Sequence, residues 1–479
     1  MSAAASPVRR APGYLAGAAA AVGVLALVAE GYRVAPSATF ALLVFVTALP
    51  AAAYVAWRAH PAPLLCGGLA LSLFSGNWGN VGLPELVAPD RLLMYAAIVV
   101  VVLRGPAMRL RPRIEIQPIH WLLALTVAYV VASALVAGTF FDRAAMLRLA
   151  DRVGAVPYVL FALAPVIFRT ARSRSLLLAA LVAAGLYLAL TAFFEVLGAQ
   201  ALVFPRYINN PSLGIHVGRA RGPFLEAAGN GAAIYICLVA AVVAAVTWRA
   251  GWRRNLAVVT AVLCSAALLL TLTRSVWVAA AAATTITMLS HPQLRRWLVP
   301  VAVGAALMTG ATLAAVPGLK QKTLARESQR GPIYDRLNLN RAALNMVEAR
   351  PLTGFGWDRF KDVGTDYFQI GDYPLTAGVG VGVHNAYFSH LAELGLVGAS
   401  LWLLSMLLAV WLALSRRGAP ELEPWRYALL AIAILNFVVS AFVYPYLFSI
   451  VVLWVWAGIV YGPAARATGE APLRGARTS

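Results

Sequence analysis

The chain has 479 residues, 61% hydrophobic and 12% charged, with mean hydropathy +0.76 and formal charge +20. That balance excludes a soluble globular domain, in which about a quarter of residues are charged. Nucleic-acid binding is excluded as the source of the high isoelectric point, because the positive charge is scattered over short segments and forms no single stripe.

Apolar runs recur from Tyr14 to Tyr461, each near the roughly 20 residues that cross a ~30 Å hydrocarbon core as a helix. In chain order they cover 14–30, 38–57, 62–75, 91–103, 118–137, 153–168, 175–195, 227–247, 255–272, 275–290, 298–315, 395–415, 425–443 and 447–461. The pattern predicts an all-α fold, a polytopic transmembrane helical bundle of about 14 spans. The third and fourth runs are short enough to pair as re-entrant or tilted segments, so twelve is the alternative count. The first run follows Arg9 and Arg10 and leads into further spans, as a retained first helix does.

Basic residues gather in cytoplasmic loops, while acidic ones contribute little to orientation. With the N-terminus inside, the inner segments collect 21 of the 39 basic residues and 4 of the 19 acidic ones. Both termini are then expected to be cytoplasmic. Three blocks follow: membrane helices over 1–315, a polar outward-facing loop over 316–383, and a C-terminal block of membrane helices and tail over 384–479. Cys66, Cys237 and Cys264 sit in separate apolar runs without C-x-x-C spacing and read as small core residues.

Charged side chains at span ends mark the outer face. R-A-R-G-P-F (Arg219 to Phe224) follows an outer loop, and L-T-R-S-V-W places Arg274 in a turn of about two residues between two runs. An ionisable group inside a span costs about 2.5 to 3.5 kcal/mol, so such arginines face a cavity or a partner unless they snorkel to the interface. Arg219, Arg221 and Arg274 are the candidates for clamping phosphate groups at headgroup depth through planar guanidinium forks. Arg336 and Arg341 either join them or face solvent and headgroups on a charged helix surface.

The loop has internal order. Residues 333–349 place Ile333, Leu337, Ala343 or Leu344, and Val347 at helical spacing, which predicts an amphipathic helix along the membrane surface. Pro351 ends it, P-L-T-G-F-G makes a turn, and Trp357 reads as an interfacial anchor. T-A-G-V-G-V-G-V is a glycine-rich approach to His384, where H-N-x9-G-x-x-G runs through Asn385, Gly395 and Gly398. An imidazole, with an ordinary pKa of about 6.5, can take the proton of a hydroxyl nucleophile. His384 is therefore the candidate general base, with Glu226 or Asp335 as possible orienting carboxylates. Asn385 either orients the imidazole or the sugar, or caps the next helix. Gly395 and Gly398 read as packing positions, His390 as structural, and His216 as a secondary candidate. No D-x-D occurs, and Asp358, Asp362 and Asp366 have the spacing of a solvated helix face, so neither a metal nor a cofactor is expected.

Four pieces in order resemble the O-antigen ligase and polymerase superfamily of bacterial integral-membrane glycosyltransferases. They are R-A-R-G-P-F, L-T-R-S-V-W, the run from Arg336 through N-L-N-R-A-A-L-N-M to P-L-T-G-F-G, and H-N-x9-G-x-x-G. Arg221 inside the R-x-x-G element and the larger span count depart from the family pattern. The resemblance implies a GT-C-like bundle in the bacterial inner membrane with its site facing the periplasm. It implies an undecaprenyl diphosphate-linked glycan as donor, a lipid A-core sugar or other glycan as acceptor, membrane lipids as surroundings, and inverting transfer without metal. A polymerase would use the same donor to extend another lipid-linked unit. A flippase would carry mid-span charge and pseudo-symmetric halves, whereas no internal repeat occurs and the charges gather around one histidine.

Overall fold

A hydrocarbon layer offers backbone amides no water, so an apolar chain satisfies them within helices. The computed structural model describes residues 59–83, 88–104, 116–215, 217–315, 331–368, 384–415 and 419–462, and helices are the regular structure among them. The longer ones are α1 (Pro61–Leu71), α2 (Pro89–Arg104), α3 (Pro118–Ala137), α4 (Arg143–Arg152), α5 (Leu160–Ile167), α6 (Ala171–Val196), α7 (Ala227–Thr247), α8 (Trp252–Leu270), α9 (Arg274–Ser290), α10 (Leu298–Ala315), α11 (Gly331–Ala349), α12 (Ala386–Ser415), α13 (Glu423–Ser440) and α14 (Leu447–Tyr461). The runs predicted at 14–30 and 38–57, His216 and the glycine-rich approach at 376–383 lie outside the described residues.

Among the described residues, 8 helices have the length and hydropathy to cross a membrane. The segment Arg143–Ile167 counts as one of them, running through α4, a π turn at Ala155–Val159 and α5. Pro61–Phe74 and Leu447–Tyr461 are apolar but shorter. The two short runs near the start form α1 and α2, which pack on each other.

A helix that is apolar all round belongs in a core, and α14 obeys this: every one of its 15 residues is buried. It packs on α5, α12 and α13, with aromatic contacts to α5 and α13. Trp454 lies 4.8 Å from Tyr158, and Trp456 lies 4.4 Å from Trp425 and donates to the Trp425 carbonyl at 2.8 Å. By contrast, α10 buries only Thr312 and presents apolar side chains outward, as a lipid-facing helix does.

The two ends of the bundle differ. One end is tied by an Arg174–Glu421 ion pair and by His291 against Tyr427 at 4.1 Å. Since α9 and α13 pack along their lengths, that last contact sets them antiparallel and sends Arg274 to the C-terminal end of α13. The connections 138–142, 197–226 and 441–446 and the segment 331–368 gather at this second end.

The loop segment is locked to the bundle by backbone. Helix α12 is broken at Gly395 (φ 64, ψ −173), and the turn after α11 fills the break. Phe355 N donates to Ala392 O at 3.0 Å, Gly356 N to Glu393 O at 2.7 Å, Leu396 N to Pro351 O at 2.8 Å and Val397 N to Leu352 O at 3.2 Å. Groups orphaned by the break are thus paired across it.

Two expectations are corrected here. The buried face of α11 is Leu339, Ala342, Ala343 and Met346, packed with Phe360 and Ala392, while Leu337 and Leu344 are exposed. The helix leans on α12, which selects a stripe offset from the one the apolar spacing favours. Trp357 is an internal lock instead of an interfacial anchor, at 2% exposure. Its indole donates to Ala145 O at 3.1 Å, its amide donates to Ser133 Oγ at 3.1 Å, and its carbonyl accepts from Thr139 Oγ1 at 2.8 Å.

Candidate functional site

The R-A-R-G-P-F element is held between α7 and the turn before α9. Ala220 N donates to Leu270 O at 3.1 Å, and Asn230 Nδ2 donates to Ala220 O at 3.0 Å. Its two arginines have different surroundings. Arg221 is buried and donates to three carbonyls of the preceding loop: Leu213 O at 2.5 Å, Ile208 O at 2.7 Å and Asn210 O at 2.5 Å. Burial lowers its pKa and the Glu195 carboxylate opposes that. Arg219 is half-buried, and its Nε is enclosed without a hydrogen-bond partner.

The same short link carries Arg274. It is exposed and opens α9, whose N-cap Thr273 supplies no side-chain bond to the helix amides. A guanidinium at the positive end of a helix dipole is a good setting for an anion.

Glu226 caps α7, accepting from Ala228 N at 3.1 Å and Gly229 N at 2.5 Å. The hydroxyl of Tyr446 bonds to the same carboxylate, and burial, followed by the charge of Glu226, pushes the phenol's pKa up. Tyr446 also lies 5.2 Å from Phe224. Arg336, half-buried on α11, stands 6.0 Å from the ring of Phe442. Burial lowers its pKa, and the Glu226 carboxylate acts against that. Arg341, one turn on, is exposed.

His384 is half-buried just ahead of α12. Asn385 caps that helix: its Oδ1 accepts from Tyr387 N at 2.9 Å and Phe388 N at 3.3 Å. Tyr387 ties the first turn to α13 by donating to Phe437 O at 2.8 Å. Residues 437–446 therefore adjoin the start of α12, Arg336 and the N-terminus of α7. The chain segments bearing His384, Arg219, Arg274 and Arg336 thus come to one end of the bundle, and the bonds of Arg221 are directed into its own loop.

A small cleft opens beside this hub, lined among others by Arg152, His390, Trp402, Asn436, Ser440 and Tyr444. His390 stands between Trp357 (5.9 Å) and Trp402 (4.3 Å), with its Nε2 2.8 Å from the Tyr444 hydroxyl. The Arg152 guanidinium lies 3.6 Å from the centre of the Tyr444 ring. Sequence reading passed over Arg152 and Tyr444. The signal was present in an arginine ending the polar helix before an apolar run and in Tyr444-Pro445-Tyr446 between the last two runs. Among the described residues no cluster has the donors of a metal site.

Residues 259–403 match the family described as O-antigen ligase. The chain is similar to that family over this segment. No curated protein matches it. The matched segment of this multi-pass membrane protein contains Arg274, Arg336, Arg341, His384 and Asn385, whereas Arg219 and Arg221 precede it. The matched segment takes in the whole of the lock between 351–356 and the Gly395 break.

Proposed function

We propose that the protein is an inverting, metal-independent glycosyltransferase that moves a glycan from undecaprenyl diphosphate to a lipid A-core sugar at the periplasmic face of the inner membrane. The observation that carries this reading is the meeting of the segments bearing His384, Arg219, Arg274 and Arg336 at one end of the bundle. The acidic-poor inner loops favour the opposite end as cytoplasmic.

In this reaction His384 takes the proton of the acceptor hydroxyl as its oxygen attacks the anomeric carbon. The anomeric C–O bond breaks, and its electron pair leaves with the diphosphate. Arg219, Arg274 and Arg336 offset that growing charge where water is scarce, as donors in an oxyanion hole do. Attack opposite the diphosphate inverts the centre. Arg221 fixes the loop carrying Arg219, Asn385 caps the helix behind His384, and Arg341 faces headgroups or the outer glycan.

The test is transfer by the purified full-length protein from an undecaprenyl diphosphate glycan, comparing wild type with His384→Ala and Arg274→Ala. Product on a lipid A-core acceptor, lost in both variants, supports the reading. Elongation without that acceptor makes the enzyme a polymerase, and full activity of His384→Ala overturns the mechanism.

A further inference from the structure

The connection that follows α6 has two faces. Val203, Tyr207 and Ile208 are buried in a small core with Leu225, while Leu202 and Phe204, on either side of Val203, are 61% and 68% exposed. Two large apolar side chains displayed together on one short loop call for a covering surface. The depth of the loop identifies it. The hydroxyl of Tyr187, on α6, donates to Phe204 O at 2.7 Å, so the chain turns back along the helix it has just left. Helix α6 has 26 residues, which make about 39 Å against a hydrocarbon core of ~30 Å. Tyr187 lies nine residues before its end at Val196, about 13 Å down the helix. Even with all the excess length at that end, Tyr187 stands about 4 Å inside the hydrocarbon boundary. Its side chain leans towards the helix N-terminus, away from the headgroups.

We propose that residues 199–208 form a membrane-inserted segment, with Leu202 and Phe204 among the lipid chains beside α6 and Arg206 reaching back to the headgroup phosphates. Backbone at that depth meets no water, so its polar groups need partners within the protein. The carbonyls of this loop have such partners. Ala199 O accepts from Leu202 N at 2.9 Å, and Pro205 O accepts from Ile208 N at 3.2 Å. Gln200 O accepts from Arg206 Nη1 at 3.0 Å and from Asn209 Nδ2 at 2.9 Å, and Phe204 O has the Tyr187 hydroxyl. Arg206 is exposed, and its apolar stem lets the charge rise to the headgroups. Because Arg221 donates to the carbonyls of Ile208, Asn210 and Leu213, insertion fixes the height of the R-A-R-G-P-F element in the bilayer.

The experiment places one label at a time on the full-length protein in phospholipid vesicles. Cys66, Cys237 and Cys264 are buried, so an introduced cysteine takes an environment-sensitive fluorophore selectively. Phe204→Cys is compared with Val303→Cys, exposed on the lipid-facing α10, and with Ser212→Cys, exposed at the polar tip of the same connection. Brominated phosphatidylcholine is expected to quench the label at Phe204→Cys to at least about half the extent seen at Val303→Cys, and to leave that at Ser212→Cys nearly unquenched. Leu202→Cys, on the same face, repeats the measurement and serves if Phe204→Cys does not fold. Quenching no stronger than at Ser212→Cys for both positions overturns the proposal and sets the loop in water. A blue-shifted label that bromine does not quench also overturns it, because another segment of this chain or a second copy then covers the face.

Discussion

Gly395 and Leu352 meet backbone to backbone: the carbonyl of Leu352 lies where a Cβ on Gly395 would have to stand, and accepts the amide of Val397 at 3.2 Å. This contact explains the first glycine of H-N-x9-G-x-x-G in physical terms. The residue breaks α12 with φ 64, and the turn from the loop closes the break. His384 lies just ahead of the half of α12 that this junction fixes.

Gly395→Ala should therefore be among the most damaging small substitutions in the chain. Backbone at φ 64, ψ −173 is open essentially to glycine alone and costs a residue with a Cβ about 1 to 3 kcal/mol, and the collision with Leu352 adds to that. A total loss of about 3 kcal/mol or more is expected, read as a fall in melting temperature of purified protein, with transfer lost in parallel. Leu396→Ala, at an exposed neighbour, is expected to change stability by less than about 1 kcal/mol.

Gly398 works by close approach. A Cβ there would meet the ring of Tyr129, whose hydroxyl donates to Leu394 O at 3.0 Å beside the break. Gly398→Ala is expected to cost about 2 kcal/mol, as overpacking does. Tyr129→Ala removes the obstacle, so the double variant should be more stable than the sum of single losses predicts, by about 1 kcal/mol. Strict additivity in a melting experiment would show that the ring and the helix yield independently.

Arg221 and Arg274 should separate stability from activity. Arg221 is 3% exposed and bonded to three carbonyls, an arrangement that a lysine ammonium cannot reproduce with a planar fork. Arg221→Lys is expected to cost about 2 to 3 kcal/mol. Arg274 is exposed at the start of α9. Arg274→Lys should leave the melting temperature within about 2 °C and lower transfer about 10-fold or more, by loss of bidentate contact. The reverse pattern would move the donor site onto Arg221.

Much of this was legible in the sequence because hydrophobic length is a one-dimensional signal. The helices Pro118–Ala137, Ala227–Thr247, Leu298–Ala315 and Leu447–Tyr461 coincide with apolar runs, and the turn at Pro351 was marked by proline and glycine. What could not be read was partnership. The buried stripe of α11 depends on α12 lying beside it, and Trp357 becomes internal only because Ser133, Thr139 and Ala145 surround it. The same limit applied to Arg219 and Arg221. Two residues apart in one motif, they differ because the loop of Ile208, Asn210 and Leu213 folds back over only one of them.

His384 and His390, six residues apart, should fail in opposite ways. His390 is 1% exposed, flanked by Trp357 and Trp402 and bonded to Tyr444 at 2.8 Å. Removing its ring leaves a cavity among large aromatics and strips the half-buried Tyr444 hydroxyl of a partner. His390→Ala is therefore expected to cost about 3 kcal/mol, with activity falling only as far as the folded fraction falls. His384 is half-buried ahead of a helix whose cap is supplied by Asn385. His384→Ala should keep the melting temperature within about 2 °C and lose transfer by a factor of about 100 or more, the usual weight of a general base. Melting curves and turnover per folded molecule decide between them. If His390→Ala loses transfer at unchanged stability while His384→Ala retains it, the base is the histidine in the aromatic box, and the cleft beside Arg152 becomes the acceptor site.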